Sequence, residues 1–322
     1  MMSTVLEASA TMRAIRRHGR GGPEHLVYEE VPRPTLAPGD ALVRVYAVGI
    51  SPAEFTWRIL TTPDGRDRLP LIPGHELSGV VAALGPDATS VAIGDEVCAL
   101  PDFWRDGAAA EYVAVRADDL AARPRSVDHV HAAATPLSAL TAWQGLFDQG
   151  GLRAGQHVLI HGAAGGVGSF AVQLARWRGA HVSATVSTRN VTFVRDLGAD
   201  QVIDYTTTRF EDAVRDVDVV LDTVGGDTLE RSWDVLRSGG TLVTILRQPS
   251  EEWTDGRGAR GVFFIVEPNR QQLAEIGQLI DEGRVRPVVE AVYPLAEARR
   301  AYERGIREHP RGKLVLRVVD ED

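Results

Sequence analysis

The chain has very little cysteine and lysine, and it has no long apolar run. Cys98 is the only cysteine among 322 residues, which excludes an internal disulfide framework and any zinc site built on several thiolates. That fits a reducing compartment, and a cytoplasmic location is expected. Lys313 is the only lysine among 35 basic residues; such a bias usually reflects genome composition, and no function is read from it. No stretch approaches the roughly 18 uninterrupted apolar residues of a membrane span. The opening MMSTVLEASAT lacks a basic segment followed by a long apolar core. No signal peptide is therefore expected, and residues 1–11 read as a mobile tail. The net charge of −9 argues against nucleic-acid binding, because phosphate binding needs a basic face. What remains is ordinary for a soluble globular protein: 44% apolar and 25% charged residues, in a chain long enough for two domains with cores of their own.

Three zones differ in pattern. From Met12 to about Ala134 the chain reads as short strands, at 42–48, 80–84 and 110–115, punctuated by turns such as Pro38-Gly39-Asp40 and Pro73-Gly74. From Thr135 to Val266 strands alternate with helices. Strands are expected at 158–160, 182–186, 202–203, 217–221, 242–245 and 262–265. Helices are expected at 167–177, at 192–197 with Gly198 as C-cap, and around 208–215 and 227–237. This alternation predicts an α/β fold with a doubly wound parallel sheet. Further helices near 270–282 and 296–307 precede a final strand at 313–319.

The strongest motif is His161-Gly162-Ala163-Ala164-Gly165-Gly166-Val167-Gly168. It follows a strand and opens a helix, which is the context of a dinucleotide-binding turn. Small residues let the backbone approach a pyrophosphate, and free N–H groups with the helix dipole hold the anion. Ala163 stands where the strict pattern has its first glycine. The bland alternative is a tight strand–helix turn with no ligand. At the end of the second strand of this zone, Val186-Ser187-Thr188-Arg189-Asn190 carries no acid before Asp196. An acid there binds ribose hydroxyls and repels a 2′-phosphate, whereas Ser187, Thr188 and Arg189 offer donors and charge. NADPH is therefore preferred over NADH. Ser187 or Thr188 also suits the N-cap of the next helix.

With these pieces in order, the sequence resembles the medium-chain dehydrogenase/reductase superfamily, in its zinc-independent quinone oxidoreductase branch. The resemblance runs from about Met12 to Val319. It rests on the nucleotide turn and on Gly49-Ile50-Ser51-Pro52-Ala53-Glu54, Pro73-Gly74-His75-Glu76-Leu77-Ser78-Gly79, Ile93-Gly94-Asp95-Glu96-Val97, Leu140-Thr141-Ala142-Trp143, Leu197-Gly198-Ala199-Asp200, Asp222-Thr223-Val224-Gly225-Gly226 and Gly312-Lys313-Leu314-Val315-Leu316. It implies a GroES-like β domain over 12–134, completed by 285–322, and a Rossmann NADPH-binding domain over 135–284. A cleft between the two domains and a homodimer are also implied. Tyr205 and Lys313 resemble further contacts to the NADPH phosphate end, Thr141 a contact near the nicotinamide, and Phe263-Phe264-Ile265 the strand whose backbone holds the carboxamide.

Zinc-dependent relatives carry a Cys where Ser51 stands, and a hydroxyl is a poor zinc ligand at neutral pH. Of that motif His75 and Glu76 remain and a third ligand has no clear match, so no metal is expected and His75 reads as a structural histidine beside the cleft. Hydride chemistry then needs orientation and electrostatics from the protein. Ser51, Glu54 and Thr56 occupy the places where the branch often has Asn, an acid and Tyr, and they are the catalytic candidates. Ser51 is alternatively a cap on the turn before Pro52. Trp57, Phe103 and Trp104 suit the walls of a flat substrate. The expected activity is NADPH-dependent reduction of a quinone or α,β-unsaturated carbonyl. Enoyl-thioester reduction and non-catalytic, crystallin-like NADPH binding are the alternatives.

Overall fold

The computed structural model describes residues 10–250 and 258–319; the expected tail at 1–11 falls, but for its last two residues, outside them. The chain begins with a hairpin, β1 (Thr11–Arg17) and β2 (Leu26–Pro32), paired antiparallel. There follow β3 (Asp40–Ile50), β4 (Leu77–Leu84), β5 (Glu96–Ala99), β6 (Tyr112–Arg116) and the two-residue β7 (Ala121–Ala122). Strand β3 is the hub, because three strands share its 11 residues: β4 pairs from Ala41 to Val48, β6 pairs near its start, and a strand from the far end of the chain pairs near its finish. Its inward residues Val43, Val45 and Ile50 join Leu77, Val81 and Leu316 in one apolar core.

Two short helices lead out of this region, α1 (His129–Ala133), capped by the Asp128 side chain, and α2 (Pro136–Trp143), with proline in its first turn. The alternating zone then runs β8 (His157–His161), α3 (Gly166–Trp177), β9 (His181–Val186), α4 (Val191–Asp196), β10 (Gln201–Asp204), α5 (Phe210–Ala213), β11 (Val217–Asp222), α6 (Gly226–Arg231), β12 (Leu236–Thr244) and β13 (Arg260–Phe263). These six strands form a parallel sheet in the order β10-β9-β8-β11-β12-β13. The order reverses between β8 and β11, and in open α/β sheets the crevice at such a reversal takes the ligand. Val158 and Ile160 of β8 face the core under α2 and α3, while Leu159 faces the core under α5. Burial on both faces explains why the strand is apolar throughout.

The chain closes with α7 (Arg270–Asp281), β14 (Val289–Pro294), α8 (Ala298–Glu308) and β15 (Lys313–Arg317). Strands β14 and β15 pair in parallel, and β15 lies antiparallel against β3, so the last strands belong to the first sheet. Helix α8 buries Ala298, Ala301, Tyr302 and Gly305, the i, i+3, i+4, i+7 stripe of an amphipathic helix.

The α/β class, the GroES-like β region and the doubly wound sheet match the expectation. Several boundaries do not. The expected helix at 227–237 is α6 followed by a 3₁₀ turn at Ser232–Val235, because Leu236 is already paired with Val217 in the sheet. The helix at 208–215 shrinks to α5. The strand at 262–265 is displaced to β13, leaving Phe264 and Ile265 beyond its end. Ala110 is drawn into a bridge with Ala14 before β6 begins. Among the described residues, no helix is long and apolar enough to cross a membrane.

Candidate active site

The turn between β8 and α3 is built by close approach. Gly162 has φ +70°, and a Cβ there would lie 2.4 Å from Thr223 Oγ1. A Cβ on Gly168 would lie 2.3 Å from the carbonyl oxygen of Gly162, so the first turn of α3 packs directly on the loop that precedes it. The left-handed step is thus taken at Gly162, one residue before the alanine at the strict pattern's first glycine. Gly165 caps the 12-residue α3 without a side chain, which leaves the backbone N–H groups of the helix start to serve an anion. Gly162, Ala164, Gly165, Gly166, Val167 and Gly168 are therefore brought together as expected of one cradle. The C-terminal segment is tied to it, since the Gly312 N–H donates to Ala164 O at 2.8 Å.

At the outer end of β9, Ser187 and Thr188 make no capping bond; Ser187 Oγ accepts from Asn190 Nδ2 at 3.3 Å. Arg189 reaches across to α8 and donates to the carbonyls of Glu308 and His309 at 2.7 and 3.0 Å. Arg311, which the sequence reading missed, crosses the other way to Asn190 Oδ1 at 2.8 Å and Arg189 O at 2.6 Å. Tyr205 stands here too, 62% exposed. Parallel pairing also sets Asp204 opposite Val186. Bonds from Thr188 and Thr206 hold its carboxyl below the usual range. This acid was invisible to a reading along β9 alone, because it arrives from the next strand.

Lys313 lies beside the glycine turn, with its ammonium directed to Ser51 and Glu76. It is buried, it donates to Ser51 Oγ at 2.8 Å, and it forms an ion pair with Glu76. Its stem passes the turn, since a Cβ on Gly166 would lie 2.9 Å from Lys313 Cδ and equally close to Ser138 Oγ. Ser51 accordingly does not cap the 3₁₀ turn at Pro52–Thr56; its hydroxyl is an acceptor for an ammonium. Glu76 accepts the Leu137 N–H at 3.1 Å, anchoring the start of α2. Burial pushes the Glu76 carboxyl up, and the Lys313 charge draws it partly back.

Glu54 points into the protein. Its Oε2 accepts from the Gly74 N–H at 3.0 Å and meets His75 Nδ1 at 3.1 Å, and its Oε1 accepts from the Tyr302 hydroxyl. Burial and the Glu54 charge raise the Tyr302 phenol well above its ordinary range. Arg17, also buried, lies over the Phe55 ring at 4.7 Å and is lowered chiefly by burial. The rings of Trp57 and Phe103 stand 5.6 and 5.2 Å from that of His75. Arg68 locks this wall by donating to the carbonyls of Ile59, Phe103 and Arg105. Trp104 is 45% exposed and makes no part of it. Thr56 is exposed and donates to Ala53 O at 2.7 Å, apart from Ser51 and Glu54.

On the other wall, Thr141 is buried in α2 and donates to Leu137 O at 2.6 Å, which leaves its lone pairs available. Phe264 is buried past the end of β13 with its ring against Gly145, a packing role, while its N–H is bonded to Thr244 O at 3.3 Å. Ile265 is 66% exposed.

The donor set does not fit a zinc ion. The Lys313 ammonium occupies both the Ser51 hydroxyl and the Glu76 carboxylate, and a second cation among these groups would be repelled. Cys98 is buried in the apolar core under α2 and α3, where burial raises its thiol to about 12. A dinucleotide does fit, because the cradle at the start of α3 is assembled from backbone alone.

Residues 37–125 match the family described as alcohol dehydrogenase GroES-like domain, and residues 197–316 the family described as zinc-binding dehydrogenase. The chain is 33% identical to the mitochondrial NAD(P)H oxidoreductase RTN4IP1 of Danio rerio, over 88% of this chain and 85% of that one. It is 32% identical to the chloroplastic NADPH-dependent alkenal/one oxidoreductase of Arabidopsis thaliana, over 88% of this chain and 73% of that one. The solved quinone oxidoreductase of Coxiella burnetii superposes with a TM-score of 0.88 at 32% identity, covering 96% of this chain and all of the other. With the β hub, the reversed sheet order and the glycine cradle in place, the chain belongs to the medium-chain dehydrogenase/reductase superfamily, in its quinone oxidoreductase-like branch.

Proposed function

We propose that this protein is an NADPH-dependent reductase of quinones or α,β-unsaturated carbonyls that works without zinc. The observation that carries the reading is the Lys313 ammonium between Ser51 and Glu76, next to a glycine cradle that suits a pyrophosphate. The bound nicotinamide would supply a hydride. The chain's own residues do the rest. Gly162, Ala164, Gly165, Gly166, Val167 and Gly168 hold the diphosphate on backbone N–H groups. Ser187, Thr188, Arg189 and Tyr205, joined by Arg311, serve the 2′-phosphate. Thr141 and the backbone at Phe264 orient the carboxamide. Ser51, polarised by Lys313, faces the acceptor, and the buried Glu54 supports that wall through Gly74, His75 and Tyr302. Trp57 and Phe103 present flat apolar surface to a planar conjugated substrate. Lys313 then serves the acceptor side more than the phosphate end, and Thr56 falls away from the catalytic set.

The division into a GroES-like domain at 12–134 with 285–322 and a nucleotide domain at 135–284 follows from the same reading. So does a homodimer, for which β13 leaves an open sheet edge. The test follows NADPH and NADH oxidation against quinones, enones and enoyl thioesters, with and without chelator. Chelator-insensitive turnover of quinones or enones with NADPH is expected. Turnover abolished by chelator, or confined to thioesters, overturns the reading. Replacing Ser187 and Arg189 together by Ala should weaken NADPH about tenfold, close to 1.4 kcal/mol, and NADH hardly at all. Equal losses in fluorescence titration would refute the 2′-phosphate role.

A further inference from the structure

The stretch that follows β13 leaves the sheet but keeps the alternation of a strand. Phe264 and Val266 are buried in the core under α2 and α3, while Ile265 and Glu267 are exposed. Pairing with β12 ends at Phe263, opposite Thr244, so this stretch is held by other means. Its first anchor is the bond from the Phe264 N–H to Thr244 O. Its second is a side chain. Gln144 Oε1 accepts the Glu267 N–H at 3.0 Å, and Gln144 Nε2 donates to Glu267 O at 2.9 Å. One amide thus meets both groups of a single residue, as a residue of a neighbouring strand would. Between the two anchors, the N–H and carbonyl groups of Ile265 and Val266 form no hydrogen bond with the described residues.

A carboxylate sets the direction of the amide. Asp148 accepts from Gln272 Nε2 at 2.7 Å, which turns Gln272 Oε1 toward Gln144 Nε2 at 3.0 Å. Gln144 is buried, and its two hydrogens and its oxygen are all bonded. It follows α2 and opens a turn of π-helix, in which the Gly150 N–H donates to Gly145 O, five residues back. Thr141 lies three residues earlier, on the same helix face. A Cβ on Gly145 would lie 3.3 Å from Phe264 Cζ, so the helix also packs on the start of the stretch. A second glutamine makes the same clamp elsewhere. Gln173 of α3 accepts the Arg286 N–H at 2.9 Å and donates to Arg286 O at 3.1 Å, where the chain runs toward β14.

We propose that Gln144 is a positioning residue for the nicotinamide. Its amide holds residues 264–267 extended beside α2, so that their unpaired peptide groups meet the carboxamide and one face of the ring is kept toward the acceptor. This rests on the reductase reading above. Gln144 touches neither the acceptor nor the transferred hydride and adds no chemical step. It acts through the backbone it pins, because a carboxamide anchored on a fixed strand cannot let the ring turn over.

The test uses the full chain with Gln144→Met, which keeps the side-chain length and removes the amide, and Gln173→Met as its match. Both should lower the melting temperature by similar amounts. In hydrogen exchange of the cofactor-free chain, the Glu267 amide should lose protection in Gln144→Met alone. NADPH affinity, read by fluorescence titration, should fall about tenfold in Gln144→Met and stay within about threefold of the parent in Gln173→Met. With the reduced 3-acetylpyridine analogue of NADPH, which lacks the carboxamide N–H donors, the loss in Gln144→Met should shrink to about threefold or less. With the best quinone or enone of the acceptor panel, NADPH deuterated on one face of C4 should pass its label from a single face in the parent and in Gln173→Met, and from both faces in Gln144→Met.

Parental affinity and facial selectivity in Gln144→Met, or equal shifts in Gln173→Met, overturn the proposal and leave the reductase reading intact. A parent chain that binds neither NADPH nor NADH overturns both. Should Gln144→Met fail to fold, Gln272→Met carries the test. It removes the acceptor of one Gln144 hydrogen and the tie to Asp148, and the same shifts in affinity and selectivity are expected at about threefold. Parental values there overturn the proposal.

Discussion

His161 and His75 are both buried beside the site, and they are treated in opposite ways. His161 closes β8 behind the glycine turn. Its Nδ1 meets the Thr185 hydroxyl at 2.9 Å and its Nε2 meets Ser232 Oγ at 3.0 Å, while Ser232 donates its own proton to Thr228 O at 2.6 Å. Each nitrogen has its partner, and burial pushes the ring down to about 3, so it is neutral scaffolding. His75 has a carboxylate on one nitrogen and no partner on the other. The difference separates a buried ring with both nitrogens bonded from one that keeps a nitrogen without a partner.

The comparison is broken most severely at Lys313, which joins the two regions. Lys313→Met leaves the Glu76 carboxylate buried without its cation and should cost about 4 kcal/mol near neutral pH, less in acid where Glu76 takes a proton. Urea unfolding at two pH values reads this, and Lys313→Met with Glu76→Leu should recover most of the loss. Gly168→Ala attacks the nucleotide turn alone. Its Cβ meets backbone at 2.3 Å, and a cost of about 2 kcal/mol with a marked loss of NADPH affinity is expected, read by thermal unfolding and fluorescence titration.

The smallest effect concerns His161 itself. Its folded pKa of about 3 lies below the ordinary histidine value of 6.5, so between these values the unfolded chain binds a proton that the folded chain does not. Its contribution is therefore complete above about pH 6.5 and is lost on acidification, by up to about 1.4 kcal/mol per pH unit. His161→Gln should show a shallower fall in stability than the parent between pH 7 and pH 5. An identical slope would place the acid sensitivity elsewhere.

Periodicity and turn chemistry are local, and they made the doubly wound sheet, the start of α3 and the Gly198 cap legible from residues alone. The seven residues at 162–168 announce a phosphate cradle because the close approaches at Gly162 and Gly168 tolerate no Cβ. The family resemblance, carried by motifs in order, supplied the return of the C-terminus to the first sheet. Boundaries failed where pairing overrode propensity, as at Leu236 and Phe264.

The polar site was legible only in part, because its members are far apart in the chain. Ser51 and Glu54 were found by position, but the bonds of Lys313 to Ser51 and Glu76 were not foreseen, and Tyr302, 248 residues from Glu54, was not found at all. Nothing along β9 reveals that β10 will deliver Asp204. The sequence by itself determined the layers, the cradle and the loss of a thiolate zinc site, since these depend on short-range pattern and on residue types present or missing. Only the tertiary structure decided which charges meet. Burial of an ion pair or a half-bonded imidazole is settled by strands and helices converging from opposite ends of the chain.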